Sequence, residues 1–290
     1  MNGIINVLKP PAMSSNGVTV YLKKLLSEKR VGHAGTLDPG AAGVLVVLLG
    51  RATRLSDYLM GHDKIYLAEM HFGCTTDTLD SYGMVREKRA PAQKITIEEV
   101  RRACAAFVGQ ITQIPPAYSA IKVNGKKSYE LARKGINIPK PPRKVQIYAI
   151  EVLEQTGALQ FLLRIHCSKG TYVRTLVEDI AASMGELAYT SLLVRERSGD
   201  YDIQHAYTLD EVAEMVQAGD TSFCISPEQA VAQLSAVHLG EAQRFAIEHG
   251  QVLTAEHPMP SGQFALYCGN TFYGIGVEED GRPKLKIPLY

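Results

Sequence analysis

The chain lacks any apolar stretch of membrane-spanning length. Its longest uncharged apolar run near the N-terminus, Ala41 to Leu49, falls far short of the roughly 20 residues that a spanning helix requires. Residues 1–20 show no basic region followed by an apolar core and a small-residue cleavage site, so the expected setting is cytoplasmic, with no membrane contact. Cysteine is sparse. Cys74, Cys104, Cys167, Cys224 and Cys268 are odd in number and scattered, no two at CxxC spacing, and no His pair completes a zinc pattern. Reduced thiols and no structural metal are expected. No solenoid-length repeat and no low-complexity tract is visible. Excess charge of one sign is lacking too. Lys+Arg 31 against Asp+Glu 30 leave +1, which at face value excludes a strongly basic nucleic-acid coat.

What is present is an ordinary globular composition: 46% of the 290 residues are hydrophobic. That suffices for one large domain, or a large and a small one, around a sizeable core. Sorting charge by region changes the first impression. Residues 120–150 carry Lys122, Lys126, Lys127, Arg133, Lys134, Lys140, Arg143 and Lys144 against Glu130 alone, a local +7. Residues 205–260 carry eight acids against Arg244, a local −7. The two nearly cancel, which suggests one face for a polyanion and another that stays solvated. Tyr118, Tyr129, Gly125, Gly135, Pro139, Pro141 and Pro142 interleave with the basic residues. The stretch therefore reads as a stacking-capable backbone clamp more than a helix face.

Periodicity and capping signals predict helices over 17–26 behind Ser14-Ser15-Asn16, over 96–107 behind Thr96 and Glu99, over 171–184 ending at Gly185, and over 208–218 behind Thr208 and Glu211. Strands are expected near 44–49, 64–73, 143–153, 159–168 and 187–195. Beyond about 236, a short helix (240–249) and Gly-punctuated strands (263–268, 271–277, 284–289) suggest a small all-β module, with a boundary near 230–236. Antiparallel-type strands with helices set to the side give an α+β main domain.

Gly32 to Gly43 holds four glycines and a proline, so irregular backbone is expected throughout, with close approach to a ligand. The stretch lacks the Gly-Lys-Ser/Thr ending of a P-loop and is not GxSxG. It presents one carboxylate, Asp38. An Asp before Pro is by itself a turn residue.

The wider pattern says more. His33-Ala34-Gly35-Thr36-Leu37-Asp38-Pro39, followed by Ala41-Ala42-Gly43-Val44-Leu45, resembles the signature of the bacterial tRNA pseudouridine-55 synthase family. Further blocks match in order: Lys9 to Ser15, Lys64-Ile65-Tyr66 leading to Gly73–Asp80, Pro115 to Arg133, Cys167 to Leu176, and Leu193 to Gly199. Ala12, Ala34, Gly40 and Val194 depart from it, Ala12 standing where glycine is usual.

The resemblance implies a pseudouridine-synthase-type mixed, mainly antiparallel sheet with flanking helices over residues 1–235. It also implies a basic thumb-like insertion at about 120–145 and a small β-barrel-like, PUA-like RNA-binding module over 236–290. The activity implied is isomerisation of a uridine in the T-loop of tRNA (uridine 55) to pseudouridine, with no cofactor and no metal. The expected partner is the T-arm stem-loop, bound by a monomer that needs no protein partner. Asp38 is implied as nucleophile or base on a flipped-out nucleotide, with Arg174 to hold it ionised and oriented. Tyr66 would stack on the target base, Tyr172 and Leu193 would wall the pocket, and His33 and Lys9 would join them on the substrate. Lys122, Lys126, Lys127 and Arg133 would grip the RNA backbone. Two other readings stay open: an RNA-folding or scaffold protein that needs no catalysis, and a uridine isomerase acting on a different RNA.

Overall fold

The computed structural model describes residues 1–118, 122–123, 126–127, 140–255 and 258–290. Local signals place its helices. Ser14 accepts from the Gly17 N–H at 2.9 Å and caps the helix Ser15–Leu25. Thr96 and Glu99 form a reciprocal capping box before Ile97–Ala105, with N–H contacts of 2.8 and 3.3 Å. Thr208 and Glu211 repeat it at 2.7 and 3.1 Å before Leu209–Gln217. The helix Val173–Ser183 starts two residues later than its expected bound. The short C-terminal helix divides into a 3₁₀ turn, Glu241–Gln243, and Arg244–Glu248.

The main sheet runs in the order Gly3–Lys9, Ala42–Leu49, Ala188–Ser198, Lys64–Phe72, Gln160–Cys167, Arg143–Gly157 and Gly109–Gln113. Its pairs are antiparallel except for a short parallel contact, Val194 with Ala42 and Arg195 with Gly43. The fold is therefore α+β with a mixed, mainly antiparallel sheet.

Ala42–Leu49 explains why an uninterrupted apolar run is a strand here. Leu45, Val47 and Leu49 face one side with Val18 and Leu22 of the first helix and Val212. Val44, Val46 and Leu48 face the other with Ala265, Ile275 and Leu289. Both faces are covered, so no position needs to be polar. A third core joins Met70, Phe161 and Ile165 of the sheet to Val100 and Cys104 of one helix and Leu176, Val177 and Ile180 of another. The C-terminal segment builds its own sheet, Ala236–Leu239, Gln263–Cys268, Thr271–Glu279 and Arg282–Pro288, over a core of Leu239, Ile247, Leu253, Phe264 and Leu266.

Sequence periodicity passes over several pieces. Gly3–Lys9 pairs along its full length with the Ala42–Leu49 strand. Gly109–Gln113 adds the far edge, and Cys74–Thr76 pairs with Val85–Lys88 as a hairpin. The Gly32–Gly43 stretch is also more regular than expected. His33 ends the strand Val31–His33, paired with Val47, and Ala42 opens the next. The irregular part is Ala34 to Ala41. In the basic segment, Lys122–Val123 pairs with Lys126–Lys127. The grip expected of the Lys122, Lys126 and Lys127 side chains and of Arg133 lies outside the described residues. No helix among the described residues is long and apolar enough to cross a membrane.

Candidate active site

Asp38 stands at the head of a tight turn. Its carbonyl accepts from the Ala41 N–H at 3.1 Å, with Pro39 supplying the fixed φ of the second position. Ser15, buried at the start of the first helix, holds the preceding residue from both sides. Its hydroxyl donates to the Leu37 carbonyl at 2.9 Å and accepts from the Leu37 N–H at 2.8 Å. Lys9 is fully buried, and its ammonium donates to the carbonyls of Pro10, Met13 and Pro39. Burial holds its pKa down to about 8 against the opposing pull of Asp38. At the loop's exit, Gly43 has φ +105°, and a Cβ there would sit 2.3 Å from the Arg195 carbonyl oxygen. Only glycine lets the two backbones approach this closely.

Arg174 enters from the first turn of the helix Val173–Ser183. Gln113 fixes the start of that turn, accepting from the Tyr172 N–H at 3.0 Å and donating to the Tyr172 carbonyl at 3.2 Å. The Arg174 Nε lies 2.9 Å from the Asp38 Oδ2, and the Nη1 lies 3.6 Å from the Asp80 Oδ2. The same guanidinium donates to the Thr78 carbonyl and, at 3.1 Å, to the Tyr118 carbonyl. Asp80 is itself held by the Thr78 hydroxyl at 2.6 Å and the Tyr82 N–H at 3.0 Å. Arg174 is 4% exposed, whereas the Asp38 side chain keeps 36%. The carboxylate therefore sits on the floor of a concavity, surrounded by protein yet open on one side. Burial pushes its pKa above the usual carboxylate value, Arg174 pulls it back most strongly, and Asp80 pushes it up again.

The concavity is a cleft of about 510 Å³. Tyr66 and Leu193 line it from neighbouring strands, and Tyr172 lines it from the helix start. Burial raises the Tyr66 phenol pKa, and the Arg195 guanidinium opposes that rise. Asp38, Tyr66, Tyr172, Arg174 and Leu193 are thus brought together as expected. Two residues are not. His33 ends its strand outside the cleft lining, and Lys9, bound to carbonyls, is not part of that lining either.

Four basic cleft residues, Arg195, Lys64, Arg143 and Lys169, are not among the site candidates of the sequence. Arg195 is 1% exposed and donates from Nε to the Val44 carbonyl at 2.7 Å and from Nη2 to the Gly35 carbonyl at 3.1 Å. Lys64 donates to the carbonyls of Met60, at 2.7 Å, and His62, and burial lowers its pKa to about 8. Arg143 lies over the Tyr172 ring, 4.6 Å from its centroid. With Lys169 and Arg174, five basic side chains among the described residues line a cleft in which Asp38 is the single described carboxylate. The signal lay in strand alternation: Arg195 stands opposite Tyr66 in register.

A mixed, mainly antiparallel sheet with a positively lined cleft over one arginine-held aspartate is the arrangement expected of a pseudouridine synthase, an isomerase. Known proteins agree. Residues 23–173 match the TruB family pseudouridylate synthase N-terminal domain, and residues 235–284 match the pseudouridine synthase II TruB C-terminal domain. A tRNA pseudouridine synthase B of Caldanaerobacter subterraneus subsp. tengcongensis is 42% identical over 287 residues, 98% of each chain. One of Streptococcus thermophilus is 38% identical over 286 residues, 97% of this chain and 96% of the other. A solved chain from a Cbf5-Nop10-Gar1 complex has a TM-score of 0.74 at 25% identity, covering 99% of this chain and 84% of its own. The chain belongs to the TruB family of pseudouridine synthases.

Proposed function

We propose that the protein isomerises uridine 55 in the T-loop of tRNA to pseudouridine, with Asp38 as the reacting carboxylate. The observation that carries this reading is the Asp38–Arg174 pair, 2.9 Å apart in a cleft whose other charged lining residues, among those described, are basic. The reaction breaks the N1–C1′ bond and forms C5–C1′; the C5 proton is lost and N1 gains one, so composition and oxidation level are unchanged. It requires an anionic oxygen beside the ribose or base, as nucleophile or as base, and Asp38 is the lining group of that kind. The electropositive walls suit the phosphates on either side of an extruded nucleotide. Tyr66, Tyr172 and Leu193 supply faces for the base, and Lys9 acts by shaping the loop. Residues 1–235 form the catalytic domain and 236–290 an RNA-binding module. The enzyme works in the cytoplasm as a monomer, without a protein partner.

An unmodified tRNA transcript tests the reading. Pseudouridine is expected at position 55, and none on a transcript with cytidine there. Product at another position alone, or none, would overturn it.

A further inference from the structure

Arg143 opens the strand Arg143–Gly157 and lies against the cleft wall. Its Nε and Nη2 are shielded from water and have no hydrogen-bond partner among the described residues. Among the described residues no carboxylate pairs with it, whereas Arg174 is paired with Asp38 and Asp80 and Arg195 has two carbonyl acceptors. The guanidinium is nonetheless held in place, face-on over Tyr172 at 4.6 Å. The neighbouring loop is built to admit it. Gly170 has φ +83°, and a Cβ there would meet the Arg143 Nη1 at 3.3 Å. A dry donor edge without an acceptor costs folding free energy. Such an edge on the wall of a binding cleft is completed by the ligand.

We infer that Arg143 binds a phosphodiester of the RNA strand entering the cleft, through its Nε and Nη2 edge. Those two N–H groups lie side by side and point the same way, matching the two non-bridging oxygens of a phosphate. A uracil edge offers acceptor, donor and acceptor in turn, and so cannot take both. The inference rests on RNA being the substrate, and it adds a specific anchor inside the cleft, separate from the basic insertion.

The test is the affinity of a T-arm hairpin across a salt series for wild type, Arg143→Met and Arg143→Lys. Losing one phosphate contact should flatten the log–log salt slope by about one unit and weaken binding about tenfold or more. Lysine should restore the slope while recovering only part of the affinity. Hairpins carrying a single neutral methylphosphonate then locate the contact. One position should weaken wild type, and at that position Arg143→Met should cause no further loss. An unchanged salt slope, or a loss of equal size on every hairpin as misfolding would give, overturns the inference. Pseudouridine formation by the wild type on the unmodified hairpin is scored in parallel. Its absence would refute the proposed activity, while the affinity series still decides the role of Arg143.

Discussion

Replacing Arg174 by lysine keeps a positive charge near Asp38 and removes the geometry that uses it. The guanidinium holds four groups: the Asp38 carboxylate at 2.9 Å, the Asp80 carboxylate as an ion pair at 3.6 Å, and the carbonyls of Thr78 and Tyr118, to which it donates. An ammonium is a point charge without the planar fork and cannot span them. A hydrogen bond to a charged group contributes about 1.5–3 kcal/mol. If the one to the Asp38 Oδ2 is lost, turnover should fall roughly 10- to 150-fold. The pH profile should move as well. Burial already holds the Asp38 pKa above its ordinary value, and Arg174 is the strongest opposing influence. An adjacent arginine lowers an aspartate pKa by about 1–3 units, so weakening it lets the folded pKa rise further. The ionised carboxylate is the active form. Activity is therefore present above that pKa and lost as pH falls through it, and the acid limb must shift to higher pH. Hairpin affinity should change far less, because the buried Arg174 spends its donors on protein groups. Single-turnover pseudouridine formation across pH, beside equilibrium hairpin binding, separates the two effects. Equal losses in rate and affinity, or an acid limb that stays in place, would refute the assignment.

Ala12 is an exposed residue with φ 66°, in the left-handed region that costs a non-glycine residue about 1–2 kcal/mol. Ala12→Gly relieves that cost, partly offset by a freer unfolded chain, and should raise Tm by about 2–4 °C; a lowered Tm would count against the strain. Gly43→Ala should do the reverse, since its Cβ would press on the Arg195 backbone. A loss of about 2 kcal/mol or more in urea unfolding is expected, and an unchanged midpoint would contradict the close approach. Ser15→Ala strands the N–H and carbonyl of Leu37 and should cost about 1–3 kcal/mol. Turnover should drop with it at nearly constant hairpin affinity, and a variant as fast as wild type would remove Ser15 from the loop's support.

Helices were legible where the sequence states their ends: the Thr96–Glu99 and Thr208–Glu211 spacings became reciprocal capping boxes. The Ala42–Leu49 strand was legible because both its faces are buried. Asp38 and Arg174 were found through ordered motif blocks, and their 2.9 Å contact follows from a turn and a helix start that meet only in the fold. Arg195, Lys64 and Arg143 escaped notice because what distinguishes them is strand register and burial, neither of which a linear charge pattern shows. Lys9 is put on the substrate by the resemblance alone. A lysine is expected to face water, and here three carbonyls let it be buried. The edge strand Gly3–Lys9 exists through its seven-residue pairing with the Ala42–Leu49 strand, a long-range cause that local periodicity does not carry.

Asp38→Asn tests the central claim most directly. The substitution is nearly isosteric and removes only the charge and the anionic oxygen. On a T-arm hairpin the variant should bind with close to wild-type affinity and form no pseudouridine. Product at the wild-type rate would contradict the account and leave an RNA-binding cleft whose chemistry resides elsewhere.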